Sequence, residues 1–368
     1  MVKKILAFLS LSLFAWAPAW ADDDPHARLP RDATFSTLFL TPRAIEGLTG
    51  DDAGNLYTTG RGANPCPVWR ISLASPALVP VGFVPAPCSP SGIAFDAKGD
   101  LFLSDNDKVW TLTPNAGTPP TATIYASGVP GTNGLAFDRG GNLWTGDGTT
   151  GQGRVWKIPP GGGAGIEIFR VQPLLNQVNV GRDVRTLPTA NSQPLVANGV
   201  AFTHGGDLLI ADTARGAIWK VEFDHRGEIR SLVGCDTTFT VNTLCLNNIL
   251  VTHPLLEGAD GIALDEAGNI WAAANERNAI VVVTREGRTV EVFRNPPDED
   301  TKLRNVGPLE TPTSPFLLGH KFCTANSDGN RRDNSPNTAG EIKPAGPDVG
   351  KISCMDQRLH IPGMRLPL

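Results

Sequence analysis

The chain has 368 residues, 40% of them hydrophobic and 19% charged, which is enough apolar material for a large core and not the composition of a disordered protein. Forty glycines and 31 prolines against three methionines favour short strands and many turns over long helices. The net charge of −5, with no long basic run, excludes the basic stripe that a nucleic-acid binder needs.

The N-terminus reads as an export signal. Lys3 and Lys4 precede an apolar run from Ile5 to Trp16, and Ala19-Trp20-Ala21 supplies small residues for cleavage after Ala21. The run is shorter than the roughly 20 apolar residues that span a bilayer, so residues 1–21 are expected to be removed rather than to anchor the chain. The remaining residues 22–368 are then a mildly acidic exported protein, periplasmic or secreted, with no membrane attachment.

A five-fold repeat follows. Its copies begin Glu46-Gly-Leu-Thr, Ser91-Gly-Ile-Ala, Asn133-Gly-Leu-Ala, Asn198-Gly-Val-Ala and Asp260-Gly-Ile-Ala, and each carries a second glycine seven residues after the first. Each copy predicts a short strand, a tight turn whose second glycine supplies positive φ, and a second strand opening on Leu or Ile. Third strands are expected at Val68-Trp-Arg-Ile, Val109-Trp-Thr-Leu, Val155-Trp-Lys-Ile, Ile218-Trp-Lys-Val and Ile280-Val-Val-Val. Trp69, Trp110, Trp156 and Trp219 share one register and read as packing residues. Copies are 42 to 65 residues apart, bracketing the period of about 40 to 50 expected of propeller blades, with insertions at 171–197 and 235–257 as loops on one face. Ser314-Pro-Phe-Leu-Leu begins a degenerate sixth copy, with Asp328 placed as Asp105, Asp147 and Asp212 are in theirs. The expected fold is an all-β, six-bladed β-propeller forming one domain, with blade heads near 46, 91, 133, 198, 260 and 314.

Six cysteines lie beyond the signal, an even number that suits an oxidising compartment. Proximity in sequence pairs Cys66 with Cys88, Cys235 with Cys245, and Cys323 with Cys354. With no C-x-x-C present, a thiolate zinc site is a weak alternative.

The first residue of each copy is the informative one. All five are polar, and the first strand of each propeller blade lines the central channel, so these positions converge on the axis. Glu46, Asn133, Asn198 and Asp260 offer an oxygen-only donor set suited to one Ca²⁺, with Zn²⁺, Mn²⁺ and Mg²⁺ as alternatives. Asp105, Asp147, Asp212 and Asp328 read as turn caps, and His253 and His320 as loop histidines that could otherwise shuttle protons at the channel mouth. No phosphate-binding Gly-rich loop, G-x-S-x-G or H-E-x-x-H occurs.

These Asn-Gly and Asp-Gly heads, with the glutamate ahead of them, resemble the regucalcin and gluconolactonase family, to which the calcium-dependent diisopropylfluorophosphatase is similar. The resemblance covers residues 40–330 and implies a six-bladed propeller whose Glu, two Asn and Asp hold a divalent metal, here Glu46, Asn133, Asn198 and Asp260. It further implies metal-dependent hydrolysis of a small lactone or ester-like substrate, with Asp260 as general base or nucleophile. The alternatives are a non-catalytic binding propeller of the NHL type and a metal-free propeller similar to strictosidine synthase.

Overall fold

The computed structural model describes residues 29–30, 32–173, 196–295, 307–327 and 349–367. The expected signal at 1–21, Asp328 and most of the 171–197 insertion lie outside the described residues.

The repeat turn is built by a side chain. Asp96 Oδ1 accepts from the backbone N–H groups of Lys98 and Asp100, both at 2.9 Å, while Gly99 takes φ +87°, where no other residue sits without strain. The same loop recurs at Asp51, Asp138 and Asp265, and Thr203 substitutes its hydroxyl in the fourth copy. The other carboxylate oxygen anchors an aromatic residue of the second strand: Tyr57 Oη donates to Asp51, and the indole N–H groups of Trp144 and Trp271 donate to Asp138 and Asp265. Burial pushes the Asp51 carboxyl up, but the bonds from Asn55, Tyr57 and Ala53 together outweigh it and hold the group below its ordinary value.

These hairpins extend into six sheets arranged as a six-bladed β-propeller. The inner strands are Thr49–Gly50, Ile93–Phe95, Thr132–Phe137, Val200–Phe202, Ala259–Leu264 and Pro312–Leu318, and each pairs antiparallel with the strand after it. Each of the first five blades adds its strands in chain order from the axis outward. The sixth is composite: Pro312–Leu318, Lys321–Asn326 and Gly350–Met355 come from the C-terminal part, and the outer strand is Phe35–Thr41, with Phe35 opposite Met355 and Thr41 opposite Gly350. That strand closes the ring. The second half of the 235–257 stretch is also blade structure, since Ile249–Thr252 is the outer strand of the fourth blade.

No blade has a core of its own. Each of six apolar clusters spans one interface between neighbouring blades, as where Phe102 and Val109 of the second blade meet Leu143 and Trp156 of the third. Near the axis the approach is tighter than any side chain allows. A Cβ at Gly92 would lie 2.0 Å from Asn133 O, and Gly47, Gly134, Gly199 and Gly261 meet the carbonyls of Ser91, Asn198, Asp260 and Thr313 in the same way. Thr313 Oγ1 donates to Glu46 O at 2.7 Å and completes the circle. The sixth head is therefore Thr313, one residue before Ser314.

The disulfides pair as expected: Cys66 with Cys88, Cys235 with Cys245, and Cys323 with Cys354. Cys323 and Cys354 are directly opposed on adjacent strands of the sixth blade.

Two outcomes test this account. Gly92→Ala should lower stability by about 1–3 kcal/mol in urea unfolding through its clash with the third blade, and Gly99→Ala, where a Cβ meets nothing, should lose only the cost of its positive φ. Because the native Asp51 carboxyl is held low, its contribution is present above the unfolded value of about 3.9 and is lost as the pH falls through the depressed native one. The stability gap between the parent and Asp51→Asn should therefore be widest near neutral pH and should close in strong acid.

Candidate functional site at the blade heads

The glycine contacts set the heads at one level of the channel, and each head residue is then held by its neighbours. Asn133 Nδ2 donates to Glu46 Oε1 at 3.0 Å, joining the third blade to the first across 87 residues of chain. Arg61 forms an ion pair with Glu46 Oε2, and its Nε donates to Ser89 Oγ at 3.0 Å. Asn198 Nδ2 donates to Thr213 Oγ1 at 3.0 Å, and that hydroxyl donates to Ala259 O at 2.7 Å, beside the next head. Gly199 N–H donates to Asp260 O at 3.1 Å, so Asn198 and Asp260 head blades bonded to each other. Asn275 Nδ2 donates to Asp260 Oδ2 at 2.9 Å. Asn133, Asn198 and Asp260 are all buried.

One rule covers these contacts. The residue fifteen positions after a head touches that head: Arg61 touches Glu46, Thr213 touches Asn198, Asn275 touches Asp260, and a Cβ at Gly148 would lie 2.6 Å from Asn133 Nδ2. Sequence reasoning stopped one place short, at the aspartates fourteen positions on. Continuing the count along the repeat would have found Arg61, Thr213 and Asn275.

The aspartates themselves are architectural. Asp212 accepts from Arg215 N–H and the Trp219 indole, and Asp147 from Thr150 N–H and Arg154. Asp105 accepts from Ser89 N–H at 2.9 Å. Burial pushes its carboxyl up, against the bonds from Ser89 and Trp110 and the positive charges of Lys108 and Arg61. His253 Nδ1 accepts from Leu255 N–H at the start of a short 3₁₀ turn, and His320 Nδ1 pairs with Leu359 O at 2.8 Å. Both histidines thus hold backbone.

The donor set can be tested against a cation. Asn198 Oδ1 is buried and has no hydrogen-bond partner among the described residues, an arrangement that costs free energy unless something else satisfies the oxygen. Glu46, Asn133 and Asp260 also offer side-chain oxygens, and a donor set of that composition, with formal charge −2, has the chemistry that suits a hard divalent ion. Arg61 is a competitor built into that set, since its guanidinium already neutralises Glu46. Arg61→Ala should accordingly tighten Ca²⁺ binding several-fold in isothermal titration; an unchanged affinity would show that the guanidinium does not compete.

Among the described residues no helix is long and apolar enough to cross a membrane. The family model for the SMP-30/gluconolactonase/LRE-like region matches residues 83–304. Among solved structures, the chain is similar to a luciferin-regenerating enzyme, with 15% identity over 90% of this chain and 97% of that one and a TM-score of 0.59. It is similar to the calcium-binding protein regucalcin from Agrobacterium tumefaciens, with 17% identity over 89% and 94% and a TM-score of 0.55. It is also similar to virginiamycin B lyase from Staphylococcus aureus, with 15% identity over 87% and 99% and a TM-score of 0.51. At these identities the likeness is one of fold. No curated protein matches the chain.

Proposed function

The chain belongs to the SMP-30/gluconolactonase/LRE-like family, and from that premise we propose that it is a divalent-metal-dependent hydrolase of a small lactone or ester-like substrate. The observation that carries this reading is the buried Asn198 Oδ1, which has no hydrogen-bond partner among the described residues and belongs to the residue heading the blade bonded to that of Asp260.

In this reading Glu46, Asn133, Asn198 and Asp260 hold the cation, with Ca²⁺ as the best fit to an all-oxygen set. The bound ion would polarise the carbonyl or phosphoryl oxygen of the substrate and favour the negative charge that develops there. Asp260 takes the proton from an attacking water, or attacks as a nucleophile itself, and Asn275 fixes the orientation of its carboxylate through Oδ2. Thr213 holds the Asn198 amide so that its oxygen, rather than its nitrogen, is left for a ligand. Arg61 holds the Glu46 carboxylate in place through their ion pair while the site is empty of substrate. The substrate is a small molecule and not a nucleic acid. Three disulfides support the proposal that the protein works in the periplasm or outside the cell after removal of residues 1–21.

Metal analysis of the purified protein, with a lactone, ester and phosphotriester panel, tests the proposal. One divalent ion per chain is expected. Asn198→Ala should weaken its binding by about tenfold or more with the ring still folded, and Asp260→Asn should lower kcat/KM on the best substrate by about a hundredfold. A chain that binds no divalent ion, or an Asp260→Asn variant with full activity, would favour the metal-free or binding-propeller reading.

A further inference from the structure

Below the head level the channel opens into a cavity of about 290 Å³, to which no head residue contributes. The repeat explains why it is there. Three positions after the heads stand Thr49, Ala94, Ala136, Ala201, Ala263 and Phe316, so five of six blades present a small side chain at this level. At the glycine level above, the inner strands are drawn against one another, with backbone approaches that would put a Cβ 2.0 to 2.7 Å from the next carbonyl. The channel is therefore pinched above and hollow below.

The C-terminal segment forms the floor. Gly363 N–H donates to Gly319 O at 2.7 Å and Met364 N–H to Leu264 O at 2.9 Å, while Pro362 O accepts from Glu266 N–H at 2.9 Å. Gly363 sits so close to the sixth blade that a Cβ would lie 2.3 Å from Leu317 Cβ. From there the segment reaches the first blade, where Arg365 pairs with Asp52 at 2.7 Å. The charged lining residues are Asp51, Asp52, Glu266 and Arg365, all near this floor. Asp51 is committed to Asn55 and Tyr57, and Asp52 to Arg365. The walls above them are apolar side chains of the inner strands.

We propose that this lower cavity is a binding site, separate from the blade heads, for one small neutral apolar molecule such as a one- or two-ring aromatic. A charged ligand would lose its hydration against inner-strand walls that carry no charged side chain, the charges being confined to the floor, whereas an apolar one replaces water against Ala, Leu, Ile and Phe surfaces. The backbone bonds of the C-terminal segment make the site pre-formed, which spares the ligand the cost of ordering its own floor.

The test is a fluorescence titration of the full chain with N-phenyl-1-naphthylamine, a neutral probe that brightens in apolar surroundings. Saturable binding at one site is expected. Ala136→Trp, which fills the cavity from its wall, should weaken that binding at least tenfold and leave Ca²⁺ binding at the heads unchanged. Should the indole prevent folding, Ala136→Leu makes the same intrusion on a smaller scale and should weaken the probe at least threefold. Non-saturable binding, or an affinity unmoved by the folded filling variant, overturns the proposal.

Discussion

The contact on which the rest of this molecule depends is backbone against backbone. The glycine that follows each blade head rests on the carbonyl of the next head, from Gly47 on Ser91 round to Gly261 on Thr313, and the Thr313 hydroxyl returns the circuit to Glu46. Glycine is required there because even one methyl group would overlap the neighbouring strand. Five such approaches and the Thr313 hydroxyl bond set the radius of the ring at its narrow level and hold the heads at the same height. Polar residues at that position are thereby forced into shared space, where their desolvation has to be offset by one another, by Arg61 and Asn275, or by a ligand.

Much of this was legible because two physical demands act at fixed spacing in every copy. The head glycine answers a close approach and the turn glycine a positive φ, so five copies share the seven-residue interval and announce a propeller. The three disulfides followed from neighbouring cysteines that the blades bring together. What was missed lacked such a signature. Phe35–Thr41 carries no repeat, and its pairing with Gly350–Met355 is set by ring closure rather than by local pattern. The sixth head slipped by one because Thr313-Ser314 replaces the polar-glycine pair, Ser314 standing where other blades have glycine. Glu46 with Asn133 are brought into contact, as are the backbones of Asn198 and Asp260, but the grip of Arg61 on Glu46 is a loop contribution that residue type alone does not announce.

Three residues of inner strand separate two environments of opposite character. At the heads the repeat places acids and amides; three positions on it places alanine in four of six blades. The same β-ladder carries both, so the chemistry of either level can change without disturbing strand pairing. The fold is a carrier and the individual registers confer the properties.

The composite sixth blade also governs how the molecule comes into being. Its outer strand begins at Phe35 and its partner ends at Met355, so the first structured segment to leave the ribosome has no partner until nearly the whole chain has been made. Until then the inter-blade clusters on either side of the gap are half-built, and a row of unpaired backbone groups stays open on Phe35–Thr41. Blades one to five can stack progressively during synthesis, but cooperative closure waits for the last tenth of the sequence. Such a long-range final step is slow by its topology, and the ring stays open until synthesis is almost complete.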